Sequence, residues 1–160
     1  MKKKGGKIKL YLDTSVISAL FDKRSPDMMY WTHEFWKFIG NFDVFISDVV
    51  ATEIHETPDT KLRAKMLKAI EGINVLEIDE DSQVLSNEYV RHGAVPEKYH
   101  RDAFHIGIAT VNHVEALISW NYKHIVRRKT REVVRMVNAL YNYPFIEIMS
   151  PPEILGGEEE

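Results

Sequence analysis

No cysteine occurs among the 160 residues. Disulfides, cysteine-based zinc sites and thiol nucleophiles are therefore excluded, and a cytoplasmic setting is the expectation. No run approaches the roughly 18 apolar residues of a membrane span, so no membrane association is expected. Charge of one sign is not in excess either. Lys and Arg number 21 against 24 Asp and Glu, a net charge of −3, which argues neither for nor against a nucleic-acid partner. Gly-x-Ser-x-Gly, a P-loop and a dinucleotide glycine motif are all missing, so serine hydrolase, NTPase and Rossmann readings fail. Seven histidines are present. No His-Glu-x-x-His occurs among them, and His100 and His105 lack the i, i+4 spacing of a helical zinc pair, so zinc is not expected. Repeats and low-complexity linkers are also absent, which leaves one domain with a core of its own.

What is present is an alternation. Short apolar segments at Lys9–Leu12, Asp43–Ile46, Val75–Ile78, Ala116–Ser119 and Phe145–Met149 read as strands buried on both faces. Helical patterns lie between them, at Ser15–Phe21, Met28–Ile39, Asp48–Glu56, Lys61–Glu71, Ser82–His92, Glu97–Asn112 and Lys123–Tyr141. Asp48 and Thr60 are the expected caps of the third and fourth, and Pro58 ends the third. This order predicts an α/β fold, a three-layer α/β/α sandwich around a mostly parallel sheet. Residues 1–7 are expected to form a flexible basic N-terminus. They mimic the start of a signal peptide, but Asp13 breaks the apolar stretch behind them and no small-x-small site follows. Residues 8–150 form the domain, and 151–160 read as an acidic C-terminal tail.

Three carboxylates sit where the pattern alone does not put them. Asp13 ends the first strand, at the edge where open α/β sheets place their ligands. Glu53 lies three residues after Val50 and four after Val49, on the apolar face of its helix. Asp102 begins a helix that is apolar nearly all round and shares a stripe with Ile106 and Ala109. Asn121 follows the fourth strand and reaches the same edge. Taken singly, Asp13 and Asn121 also read as caps, Glu53 as a rim residue and Asp102 as a helix-start acid favoured by the dipole. Brought together, three like charges raise one another's pKa unless a cation intervenes. Mg²⁺ or Mn²⁺ with waters suits such oxygen donors and activates water toward a phosphoryl group.

The segments carrying these residues resemble a known family. Leu10-Tyr11-Leu12-Asp13-Thr14-Ser15-Val16-Ile17 resembles the opening motif of PIN domains. Ser47-Asp48-Val49-Val50-Ala51-Thr52-Glu53-Ile54 resembles the second motif, and Asp102-Ala103-Phe104-His105-Ile106-Gly107-Ile108-Ala109 the third. Leu117-Ile118-Ser119-Trp120-Asn121 resembles a Trp-Asn variant of the fourth. The resemblance spans about residues 8 to 150. It implies a PIN-like fold and a metal-dependent ribonuclease of the VapC-like toxin type, a hydrolase of RNA with an antitoxin partner and a possible homodimer. Asp13, Glu53 and Asp102 are then the acidic metal set, with Asp13 and Asp102 holding Mg²⁺ or Mn²⁺ and Glu53 handling the attacking water. Asn121 stands where many members carry a further acid, and it brings no charge. Thr14 and Ser15 offer hydroxyls beside Asp13.

Lys123, Arg127 and Arg128 open a basic segment that offers contacts to RNA phosphates, with a solvated helix face as the plainer reading. Met28, Tyr30, Trp31, Phe35, Trp36 and Phe38 make an aromatic-rich helix for which core packing is the first expectation. Two rival readings remain. A haloacid-dehalogenase-type phosphatase also has an Asp after its first strand, but it needs a second acid where Ser15 stands. A PIN-like module that binds RNA or protein without cutting accommodates Asn121.

Overall fold

In a computed structural model of the chain, residues 6–158 are described. Residues 1–5 of the expected basic N-terminus and 159–160 of the expected tail lie outside that range. Five strands form one sheet in the order β3-β2-β1-β4-β5, every neighbouring pair parallel. They are β1 (Lys9–Leu12), β2 (Asp43–Ser47), β3 (Asn74–Leu76), β4 (Ala116–Ile118) and β5 (Glu147–Met149). The strands run out from β1 to β3 on one side and from β4 to β5 on the other. A topological switch point therefore falls between β1 and β4, where an open α/β sheet forms its ligand crevice. The central strands are apolar because both faces are covered: Leu10, Tyr11, Leu12, Ala116, Leu117 and Ile118 are fully buried.

The connections divide into two layers. Helices α1 (Thr14–Ala19), α2 (Pro26–Trp36), α3 (Asp48–His55) and α4 (Thr60–Ala69) link β1 through β3 and pack on one another. Helices α5 (Glu80–Arg91), α6 (His100–Val111) and α7 (Arg128–Leu140) follow the reversal of direction. Right-handed crossovers put them on the opposite face, where α5 packs on both α6 and α7. The α5–α6 approach is close. A Cβ on Gly107 would overlap Ser86 Oγ and stand 2.9 Å from the Ser82 carbonyl oxygen. A buried polar link ties this layer together, with the Tyr89 hydroxyl meeting Thr110 and Asn138.

Three details differ from the sequence expectation. The caps of α3 and α4 sit one residue earlier than expected. Ser47 Oγ accepts from the Val50 amide, and Asp59 accepts from those of Lys61 and Leu62. The last long helix starts at Arg128 rather than Lys123. Asn121 folds the intervening segment into a loop: its carbonyl accepts from Ile125 and Val126, which are buried. Finally, Pro151–Glu158 is a helix, α8, where a tail was expected. The Ser150 amide and hydroxyl both donate to the Glu153 carboxylate at its start, Ile154 is fully buried, and α8 packs on α2. On α2 itself the core takes Phe35, while Tyr30 and Trp31, and Phe38 just past its end, stay exposed. Among the described residues no helix is long and apolar enough to cross a membrane.

Candidate active site

Asp13 lies at the C-terminal end of β1 and at the N-cap position of α1, yet no backbone amide of α1 makes a capping hydrogen bond to its side chain. Its carboxylate instead accepts from Ser15 Oγ at 2.5 Å and, across the switch point, from Ser119 Oγ at 2.6 Å. Ser15 Oγ in turn accepts from the Trp120 amide, and Ser119 Oγ from the Asn121 amide. The ends of β1 and β4 are thus tied together through two serine hydroxyls and one buried carboxylate. Burial raises the Asp13 pKa, against the opposing pull of the His105 charge, the two serine donors and the nearby Val16 amide.

Glu53 reaches the same place from the middle of α3. Its Oε1 accepts from Thr14 Oγ1 at 2.8 Å and pairs with His105 Nε2 at 2.7 Å. Burial pushes Glu53 up, but the hydrogen bond and charge of His105, with Thr14 and Arg101, hold it below the usual carboxylate range. Asp102, half-buried in the first turn of α6, is the opposite case. Burial, with the charges of Asp13 and Glu53, raises it to about 6 against the pull of His105 and an Asn121 hydrogen bond. Asn121 Oδ1 is already occupied by the His124 amide at 2.9 Å, so the amide NH₂ is what Asn121 turns to Asp102. The four residues expected at the site, Asp13, Glu53, Asp102 and Asn121, therefore do converge.

His105 is the side chain of this cluster that the sequence reading missed. It is fully buried one turn after Asp102, with Nδ1 2.6 Å from the Tyr11 hydroxyl and Nε2 on Glu53. Tyr11 OH also meets Ser47 Oγ at 2.7 Å, so a chain of hydrogen bonds runs from buried Ser47, Tyr11 and His105 to half-buried Glu53 and Thr14. Burial pushes the imidazole pKa down, but the hydrogen bond and charge of Glu53, with Asp13 and Asp102, override it and the net direction is up. The signal was available: a histidine inside an apolar helix needs partners for both ring nitrogens. Its spacing to His100 speaks only against a helical zinc pair.

The expected substrate-binding residues divide. Thr14 and Ser15 stand in the site. Lys123 is exposed in the loop after β4. Arg127 is half-buried and structural: Nε donates to Thr130 Oγ1 at 2.8 Å and Nη2 to the Ala94 carbonyl at 3.0 Å. Arg128 pairs with Glu132 at 2.8 Å on the exposed face of α7.

The oxygen donors suit a hard cation, but not as a three-carboxylate cage. Among the described residues no three His, Cys, Asp or Glu side chains are grouped so as to hold a metal ion. The reason is local, since Glu53 is drawn to His105 and Thr14. Mg²⁺ usually takes one or two carboxylates and keeps several waters. Asp13 and Asp102, whose charges oppose one another here, fit that need, with Asn121 beside them.

No family model matches the sequence, and no curated protein matches it. Solved structures do. The chain is similar to VapBC2 from Rickettsia felis, solved bound to a DNA fragment from their promoter, with 10% identity and a TM-score of 0.57 over 89% of this chain and 98% of that one. It is similar also to a toxin–antitoxin complex from Klebsiella pneumoniae, with 18% identity and a TM-score of 0.53 over 72% of this chain and 88% of that one. With its all-parallel sheet in the order 3-2-1-4-5, the chain has the PIN-like α/β/α fold that the four motifs imply.

Proposed function

We propose that the protein is a Mg²⁺- or Mn²⁺-dependent endoribonuclease that hydrolyses RNA phosphodiester bonds, acting in the cytoplasm as the toxin of a toxin–antitoxin pair. The observation that carries the reading is the convergence of Asp13, Glu53 and Asp102 at the switch-point edge, with Asp102 raised to about 6 beside the other two. A protein that keeps mutually repelling, half-desolvated carboxylates together has a use for them. The likeness to toxin–antitoxin structures supports the biological setting.

Asp13 and Asp102 would hold the divalent ion, which supplies Lewis-acid polarisation of a phosphoryl oxygen and a more acidic water. The chain's own groups do the rest. Ser15 and Ser119 fix both oxygens of Asp13. His105 and Thr14 fix Oε1 of Glu53, which leaves Oε2 to accept a proton from the attacking water and orient it. Asn121 presents its NH₂ toward Asp102 and limits how that carboxylate turns. Asp13→Asn is expected to abolish cleavage of an RNA substrate with the fold intact by circular dichroism. Undiminished cleavage by that variant sinks the proposal.

One observation favours a second reading, a PIN-like module that binds without cutting: the carboxylates are held singly by hydroxyls and an imidazole rather than grouped as a cage. Calorimetry with Mn²⁺ separates the two. Binding that is lost in Asp102→Ala supports the nuclease, and the absence of binding by the wild type supports the module.

A further inference from the structure

Next to the Thr14–Glu53 contact, the helices that carry it open into a cleft of about 670 Å³. Ser18 stands four residues after Thr14 on α1, on the same helix face and about 6 Å further along. Thr57 stands four after Glu53, just past the end of α3, where its hydroxyl donates to the Glu53 carbonyl at 3.2 Å. The cleft therefore begins one helical turn beyond the site on both walls.

Its lining is cationic. Lys23 and Arg24 come from the loop between α1 and α2, and Lys61 and Lys65, one turn apart on α4, come from the other side. The two carboxylates in the lining are already engaged. Asp22 is paired with Arg24 at 2.9 Å, and Asp59 caps α4. Lys23, Lys61 and Lys65 are exposed, and among the described residues their ammonium groups have no ion-pair or hydrogen-bond partner. The basic helix α7 contrasts with this. Its arginines Arg128 and Arg131, with Arg127 at its N-cap, are bonded to carbonyls, hydroxyls or carboxylates of the chain itself, and Arg135 lies over the Phe145 ring, so that Lys129 is the one cation of α7 with no partner among the described residues.

We propose that this cleft is the track of the RNA backbone on one side of the cut, with phosphates on Lys23, Lys61 and Lys65 and the hydroxyls of Ser18 and Thr57 at the end nearest Glu53. The inference rests on the nuclease reading. A polymer cut internally extends both ways from the reacting phosphate, and this cleft begins one helical turn beyond the site, with positive charge in excess of negative. Lysines are point charges on flexible stems, so the track reads backbone and not sequence.

The test is the binding of a mixed-sequence, fluorescently labelled oligoribonucleotide, measured by anisotropy over a salt series in EDTA, alongside cleavage assays with Mn²⁺. The triple variant Lys23→Ala/Lys61→Ala/Lys65→Ala is compared with wild type and with Lys37→Ala, an exposed lysine paired with Glu34 on α2. The expected result is at least a tenfold loss of affinity. The slope of log K against log salt should fall by about 2, since a single strand gives roughly 0.7 per phosphate neutralised. Lys37→Ala should show neither change. If the triple variant binds and cuts like wild type, the track is wrong and the nuclease reading stands. If it binds RNA weakly with the predicted slope while wild type fails to cut with Mn²⁺, the cleft stands as a site for RNA backbone, and the nuclease reading falls together with the placing of that site beside a cut. If it keeps RNA affinity but loses affinity for an acidic peptide, the cleft serves a protein partner and the proposal is overturned. No RNA binding by wild type overturns both.

Discussion

Asp102→Asn should make this protein more stable while disabling its site. The carboxyl of Asp102 is raised from its ordinary 3.8 to about 6, first by burial and then by the charges of Asp13 and Glu53. At about 1.4 kcal/mol per pH unit that displacement corresponds to roughly 3 kcal/mol. Asp102 is only half-buried, and solvent screening reduces the figure to about 1–2 kcal/mol. The sign follows from linkage. The folded chain binds this proton more tightly than the unfolded chain does, so its contribution is complete below 3.8 and lost as pH rises through about 6. Asparagine never ionises, and its Oδ1 can still accept from Asn121. The variant should therefore match wild type near pH 3.5 and exceed it by about 1–2 kcal/mol above about pH 7. For a chain of this size that is a Tm higher by roughly 3–6 °C at about pH 8. Thermal unfolding followed by circular dichroism across a pH series reads it directly. A variant less stable than wild type at the alkaline end, or a difference that does not change with pH, refutes the reasoning. Added Mn²⁺ should raise the Tm of wild type and leave that of Asp102→Asn in place.

Other outcomes follow from the same contacts. Arg127→Ala should lower stability by about 1–2 kcal/mol in urea unfolding, because it strips Thr130 and the Ala94 carbonyl of a charged donor. Arg128→Ala should move the same measurement by less than about 0.5 kcal/mol, since its partner Glu132 is an exposed i, i+4 neighbour. Ile154→Ala should cost about 2–4 kcal/mol in the same assay, the cost of a cavity in the core, and a neutral effect would mean that α8 is not docked.

The architecture was legible in the sequence because its signals are local. Apolar runs such as Lys9–Leu12 and Ala116–Ile118 mark strands, and the helical stretches between them force parallel pairing. That topology carried Asp13, Glu53, Asp102 and Asn121 to one edge without any knowledge of side-chain contacts. The helix α8 was hidden because its composition, with two prolines and two glycines, is poor for a helix. It is held by Ile154 in the core and by the Ser150–Glu153 cap. The loop at 121–127 was hidden because Lys, His and Arg suit a helix as well as a turn, and hydrogen bonds to the Asn121 side chain and carbonyl decided the matter.

The sequence by itself determined that acids would meet at the C-terminal edge of a parallel sheet, because strand and helix periodicities fix where each residue comes to the surface. Only the tertiary structure decided what each acid does there. Asp13 is bonded to a serine 106 residues away and Glu53 to a histidine 52 residues away. Pairs so distant leave no periodic trace in the chain, since a hydrogen bond selects its partner by position in space. The same holds for charge. Composition counted the cations, and packing decided that the arginines of α7 are engaged while the lysines of the α1–α4 cleft have no partner among the described residues.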